Sequence, residues 1–211
     1  ILEEGPWLSD EVREEIGSKV VAGAEAVGYK GLATFEFLRD SNGDFYFLEV
    51  NPRVQVEHTV TEMITGYDLV SIGIRVAAGE GININQSDVK IRGHAIQTRI
   101  NAENPLTLTP SPGRLWECHW PSGPGVRVDS HAHTGSDMPA SFDSLLAKII
   151  VWSPTRPDAI SRMKAALNET MLLGVDTLIP LHQAILKNQD FLSGDITIRF
   201  LEEHPELLNG E

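Results

Sequence analysis

Two glutamates, Glu36 and Glu49, stand at equal distances from the dipeptide Asn42-Gly43, each within a strongly β-forming stretch, residues 33–38 and 45–50. Asn-Gly between two such stretches predicts a tight hairpin. A symmetric hairpin centred on that turn sets residue 40 opposite 45 and Glu36 opposite Glu49. Like charges directly opposite on one sheet face repel, their Cβ atoms being only about 5 Å apart. A chain that builds this pair is expected to put a cation between the two carboxylates. Taken alone, the hairpin leaves open a solvated surface element with two exposed acids.

Ligand chemistry narrows the choice of cation. Asn51 lies two residues beyond Glu49 on the same strand face, so the cluster offers oxygen donors, with no nearby Cys or paired His. Two Mg²⁺ or Mn²⁺ ions suit it better than zinc. Magnesium held by one or two carboxylates is usually completed by water and substrate phosphates. Downstream, Asn51, Arg53, Gln55 and Glu57 alternate with Pro52, Val54 and Val56, which predicts that the extended chain continues and sends four polar groups to one side. Arg53 could clamp a planar anion through two parallel hydrogen bonds, and Glu57 could take its proton. Periodicity equally allows an amphipathic edge strand with a salt-bridged Arg and Glu.

The run Glu49-Val50-Asn51-Pro52-Arg53 resembles the metal-binding end of ATP-grasp ligases, carbamoyl phosphate synthetases among them. Its continuation, Val54-Gln55-Val56-Glu57-His58-Thr59-Val60-Thr61-Glu62-Met63-Ile64-Thr65-Gly66-Tyr67-Asp68-Leu69, is similar to biotin carboxylase, the ATP-dependent component of biotin-dependent carboxylases. So are Arg92-Gly93-His94-Ala95-Ile96-Gln97-Thr98-Arg99-Ile100-Asn101-Ala102-Glu103, Pro110-Ser111-Pro112-Gly113, Gly125-Val126-Arg127-Val128-Asp129 and Phe142-Asp143-Ser144-Leu145-Leu146-Ala147-Lys148. The resemblance runs from about Gly28 to about Glu202.

The resemblance implies an α+β fold: the end of an ATP-grasp domain, an antiparallel sheet with helices, over residues 1–82, then a mixed α/β carboxy-terminal domain over 83–211. It implies that Glu36, Glu49 and Asn51 bind the metal ions that bridge to ATP. Arg53, Gln55 and the Val56 backbone would hold bicarbonate, and Glu57 would deprotonate it for attack on the γ-phosphate, giving carboxyphosphate. Arg99 would stabilise the enolate-like charge on biotin, with Asp143 on the biotin side of the site. Leu38 and Ile198 could line the adenine pocket, although two apolar residues are more often simply core. Arg127 occupies the place of an interface arginine in a homodimer, beside Pro124 where an aromatic residue is common. The implied partners are a biotin carboxyl carrier domain and a carboxyltransferase.

Composition agrees. A net charge of −13, from 17 basic and 30 acidic side chains, argues against binding a phosphate backbone of nucleic acid. The single cysteine, Cys118, precludes an internal disulfide framework and suits a reducing compartment, the cytoplasm or, in a eukaryote, the mitochondrial matrix. No apolar run reaches membrane-spanning length. The start, Ile1-Leu2-Glu3-Glu4, lacks an initiator Met and is no signal peptide. The expectation is a piece of a longer enzyme, inactive alone because no glycine-rich phosphate loop precedes Gly31. Two other functions stay open, an ATP-grasp ligase with a different acceptor and a non-catalytic assembly module.

Periodicity places helices at residues 9–28, 59–66, 68–78, 156–173, 178–187 and 196–204, and later strands at 93–100, 126–130 and 148–152. His58 is expected to act by a hydrogen bond behind the site, and His131 and His133 to face solvent.

Overall fold

The computed structural model describes residues 1–208 and divides into two compact units, Trp7–Arg92 and Ile1–Pro6 with the chain from Gly93 onward. In chain order the regular elements begin with β1 (Leu2–Glu3), α1 (Asp10–Ala26), β2 (Thr34–Arg39), β3 (Phe45–Asn51), α2 (His58–Thr65) and α3 (Leu69–Ala77). There follow β4 (His94–Asn101), β5 (Gly113–Arg114), β6 (Glu117–His119), β7 (Val126–Ser130), β8 (Asp137–Met138) and β9 (Leu145–Ser153). The chain continues with α4 (Arg156–Glu169), β10 (Met171–Leu173), α5 (Ile179–Ile185), α6 (Gln189–Ser193) and α7 (Phe200–Glu203). Helices and antiparallel pairings together make the fold α+β.

In the Trp7–Arg92 unit, Ser9 caps α1 by accepting from the Val12 amide, and Asp10 and Glu11 face the positive end of the helix. The helix stops at Gly28, whose φ of +63° allows the amides of Gly28 and Tyr29 to reach the Glu25 and Ala24 carbonyls. Asp68 caps α3 in the same way as Ser9 caps α1, through the Ser71 amide.

The hairpin β2–β3 does set Glu36 opposite Glu49, by a route other than the symmetric turn. Asp40 Oδ1 accepts from the amides of Asn42 and Asp44, and the Asp40 amide donates to the Asp44 carbonyl, so residue 40 pairs with 44 across a three-residue loop. Gly43, at φ +94°, closes it. Leu38 and Arg39 pair with Tyr46 and Phe45, and the register then shifts so that Leu48 is an extra residue before Glu49. The bulge absorbs the offset introduced by the loop.

The larger unit is organised on a four-stranded antiparallel sheet in the order β1-β4-β9-β7. Ile96 and Ile100 on β4, with Ala147, Ile149 and Val151 on β9, turn one face toward Ala159, Ile160, Met163, Ala166 and Leu167 of α4, whose spacing of three and four forms a single stripe. Thr98 Oγ1 lies 3.6 Å from Met163 Sδ across that seam. Gln97 and Arg99 alternate to the other face, where Lys148 lies opposite Arg99 and Asp129 opposite Lys148.

Three helical expectations are shortened by competing interactions. Residues 156–173 are helical to Glu169; Met171–Leu173 then pair with Glu117–His119, because an apolar Met-Leu-Leu run suits a strand as well as a helix. The segment 196–204 is helical over Phe200–Glu203, where β-branched Ile196, Thr197 and Ile198 give way to helix formers. Residues 178–187 yield Ile179–Ile185.

Candidate functional site

Extended alternation does not continue beyond Asn51. Pro52 supplies no amide donor, the Arg53 amide turns back to the Asn51 carbonyl, and Gln55 begins a turn that runs directly into α2. An extended strand would carry Gln55 about 13 Å from Asn51. The turn instead returns Gln55 to the hairpin, where its Nε2 donates to Glu36 Oε1 at 3.1 Å.

Five of the expected residues converge there, Glu36, Glu49, Asn51, Arg53 and Gln55. Asn51 Nδ2 donates to Glu36 Oε1 at 2.8 Å and to Glu49 Oε1 at 3.0 Å, bridging the opposed carboxylates. Arg53 Nη2 lies 3.4 Å from Asn51 Oδ1, and its Nη1 donates to the Val54 carbonyl at 3.2 Å. Gln55 Oε1 is buried without a hydrogen-bond partner. Val56 and Glu57 occupy the turn, with Glu57 at the amino-terminal cap position of α2. His58 stands behind them: its Nδ1 donates to the Gln55 carbonyl at 2.6 Å, the supporting hydrogen bond expected of it.

The donor set fits a hard divalent cation. Two carboxylates meet an amide whose oxygen would face the same point after a half-turn of the carboxamide, and three oxygens from protein are what Mg²⁺ completed by water and phosphate would need. Among the described residues no group of three or more His, Cys, Asp or Glu side chains is placed to hold a metal ion, so the site offers two carboxylates and an amide.

Leu38 is half exposed on β2. The remaining expected residues lie in the larger unit. Ile198 is exposed before α7. Arg99 is exposed on β4 between buried neighbours. Arg127 forks onto both oxygens of Asp129, at 2.8 and 3.0 Å, and Lys148 Nζ lies 3.3 Å from the same carboxylate. Partial burial opposes ionisation of Asp129, but the Arg127 and Lys148 bonds outweigh it and hold its carboxyl below the usual range. Asp143 accepts from the Leu145 amide and lines a cavity of about 480 Å³ with Met138, Phe142, Ser144 and the exposed His131 and His133.

Two groupings have no clear signal in the sequence. Glu3, Arg156 and His94, far apart in the chain, form a shielded cluster: Arg156 forks onto both Glu3 oxygens at 2.8 Å, and His94 Nε2 lies 2.8 Å from Glu3 Oε2. His182 is buried in α5 with its Nε2 on the Arg99 carbonyl. Periodicity marks His182 as one more polar position in a short helix, so its partner emerges from the tertiary structure alone.

Comparison with known proteins identifies the class first. Residues 3–85 match the ATP-binding domain of the carbamoyl-phosphate synthase L chain. Residues 97–203 match the biotin carboxylase C-terminal domain, and the chain belongs to the biotin carboxylase family. It is 50% identical to biotin carboxylase of Haemophilus influenzae, covering 94% of this chain and 44% of that protein. The chloroplastic biotin carboxylase of Arabidopsis thaliana is 48% identical, covering 99% of this chain and 39% of that protein. Among solved structures, the biotin carboxylase domain dimer of Hydrogenobacter thermophilus 2-oxoglutarate carboxylase, in complex with MgADP, ADP and bicarbonate, superposes with a TM-score of 0.93 at 45% identity, over 95% of this chain and 45% of that one. The chain thus spans less than half the length of the relatives it matches.

Proposed function

We propose that this chain is the metal, bicarbonate and biotin side of an ATP-dependent biotin carboxylase, which carboxylates biotin on a carrier domain. The observation that carries the reading is the return of Gln55 to Glu36, which gathers paired carboxylates, two amides and Arg53 into one constellation. The MgADP and bicarbonate named for the Hydrogenobacter relative have the chemistry this constellation suits.

Glu36, Glu49 and Asn51 would hold Mg²⁺, or Mn²⁺ in its place; the ions supply charge neutralisation along the ATP phosphates. Arg53, Gln55 and the Val56 backbone hold bicarbonate, the guanidinium compensating the negative charge that grows as its proton leaves. Glu57 accepts that proton. A carboxylate is a weak base for bicarbonate, so this step depends on Arg53 placing the anion and stabilising its deprotonated form. The bicarbonate oxygen then bonds to the γ-phosphorus, ADP departs, and carboxyphosphate results. Carboxyphosphate breaks down to carbon dioxide and phosphate, the phosphate takes the ureido proton of biotin, and the ureido nitrogen attacks carbon dioxide. Arg99, on the other unit, stabilises the charge on the biotin ring, with Asp143 on the same side, and Leu38 and Ile198 contact adenine.

Positioning the phosphates needs groups beyond those in this chain, so the chain alone is inactive and the full-length gene product is the catalyst. The partners are the biotin carboxyl carrier domain and a carboxyltransferase, and Arg127 belongs to a homodimer interface. The dimer named for the Hydrogenobacter relative and the complete pyruvate carboxylase of Rhizobium etli among the structural matches support this arrangement. The lone thiol suits the cytoplasm or mitochondrial matrix.

Glu57→Gln in the full-length gene product tests the base. Bicarbonate-dependent ATP cleavage falls at least about a hundredfold if Glu57 takes the proton; turnover near the wild-type rate removes that role.

A further inference from the structure

His182 lies on the inner side of α5, with 5% of its surface exposed. Its Nε2 is 2.8 Å from the carbonyl oxygen of Arg99. A carbonyl can accept and never donate, so Nε2 carries the proton and the ring is held in a single tautomer. Burial pushes the imidazole pKa down to about 4, so the ring is neutral and this bond is constant near neutral pH. Nδ1 is left buried with no hydrogen-bond partner. An unsatisfied buried acceptor is unfavourable, and an apolar side chain of similar volume would avoid it. What an apolar replacement lacks is the Nε2 donor.

The recipient of that hydrogen bond stands at a particular place in the sheet. The register of β4 against β9 shifts between Ile100 and Asn101, one residue beyond Arg99, with Leu146 of β9 as the extra residue. Such irregularities redirect the neighbouring side chain and recur beside active sites. The α5 segment holds both sides of the shift: His182 takes the Arg99 carbonyl, and the Leu178 amide donates to the Asn101 carbonyl at 3.2 Å. Asn101 is fixed further by its Nδ2, 2.9 Å from Ser144 Oγ and 3.1 Å from Glu103 Oε1.

We infer that His182 is a positioning residue for Arg99: its Nε2–H sets the peptide plane that follows Arg99 and hence the direction in which the guanidinium leaves the sheet. The inference rests on the reading of Arg99 as the residue that stabilises charge on biotin, and deepens it.

The test compares Arg99→Ala, His182→Met and His182→Gln in the full-length gene product. Free biotin is the probe; kcat and KM for biotin carboxylation are measured beside bicarbonate-dependent ATP cleavage. Met fills the site without a donor, whereas Gln can place an N–H where Nε2 stood. His182→Met is expected to lower biotin carboxylation at least about tenfold while ATP cleavage stays within about threefold, because a small misplacement of a catalytic group is felt in the step it serves. His182→Gln recovers most of that loss. Should His182→Met fail to fold, His182→Asn replaces it, since its amide reaches the Nδ1 position and not Nε2, and the same loss is expected. Equal loss of both activities in Arg99→Ala overturns the role of Arg99 whatever His182 does. Separation of the two activities in Arg99→Ala, with no separation in the donor-less variant or no rescue by Gln, overturns the positioning role alone.

Discussion

Gln55 donates to Glu36 at 3.1 Å across nineteen positions of sequence, and in doing so joins the turn before α2 to the carboxylate pair of the hairpin. Glu36 accepts from Gln55 and Asn51 through the same oxygen. The arrangement fixes that carboxylate against the hairpin, so a cation bound there, as proposed, would require less ordering.

Removal of a carboxylate therefore differs in kind from removal of its support. Glu49→Gln keeps the hairpin and deletes a ligand charge, and Gln55→Leu keeps the charge and deletes the amide behind it. Each is expected to weaken Mg²⁺ binding by at least about tenfold in the ADP complex, through ligand charge in one case and ligand orientation in the other. Titration calorimetry of the full-length gene product with MgADP measures both; unchanged affinity in Glu49→Gln would remove the hairpin from the metal site.

Glu3 makes acid stability predictable. Its burial opposes ionisation, and the hydrogen bonds from His94 and Arg156 overcome this and lower its pKa from 4.5. A depressed carboxylate pKa adds stability that is present above the unfolded value and disappears as pH falls through the folded one. Wild-type protein should lose stability more steeply than Glu3→Gln below about pH 4.5, and thermal unfolding of the two from pH 6 to 3 reads this slope. Parallel curves would mean that Glu3 does not couple the cluster to protons.

Arg156 is the converse case. Its side chain is 14% exposed, and it also donates to the Phe191 and Leu192 carbonyls at 2.7 Å. Arg156→Met leaves the shielded Glu3 carboxylate with His94 as its remaining partner and takes a charged donor from the Phe191 and Leu192 carbonyls, and should destabilise the larger unit by about 3 kcal/mol in chemical denaturation. A loss below about 1 kcal/mol would place the network in the range of a surface pair.

Much of the fold is legible in the sequence because local signals and tertiary structure agree. Ser9 and Asp68 mark helix starts, Gly28 and Gly66 mark stops, and the alternation of Ile96, Thr98 and Ile100 marks one sheet face. The opposition of Glu36 and Glu49 is legible too, although the loop and the Leu48 bulge that produce it are not, since two offsets cancel in the spacing. The path of 52–57 is hidden because alternation of polar residues signals a strand even where Pro52 and successive turns curl the chain. The contacts of Glu3 with Arg156 and of His182 with Arg99 join residues separated by 153 and 83 positions, and no local pattern encodes them.

Arg127 separates folding from assembly. If it serves a dimer interface, Arg127→Ala leaves Asp129 its bond to Lys148 and should preserve the fold, with the melting temperature changed by no more than about 4 °C. Sedimentation velocity of the full-length variant is expected to shift from dimer to monomer. A dimer of unaltered strength would confine Arg127 to holding Asp129.

Phosphate release by the full-length gene product supplied with Mg-ATP, bicarbonate and free biotin, each omitted in turn, tests the proposed reaction. A biotin carboxylase releases phosphate at its full rate when all three are present and slows sharply when bicarbonate or biotin is left out. Release that ignores biotin would contradict this account and assign the site to another acceptor.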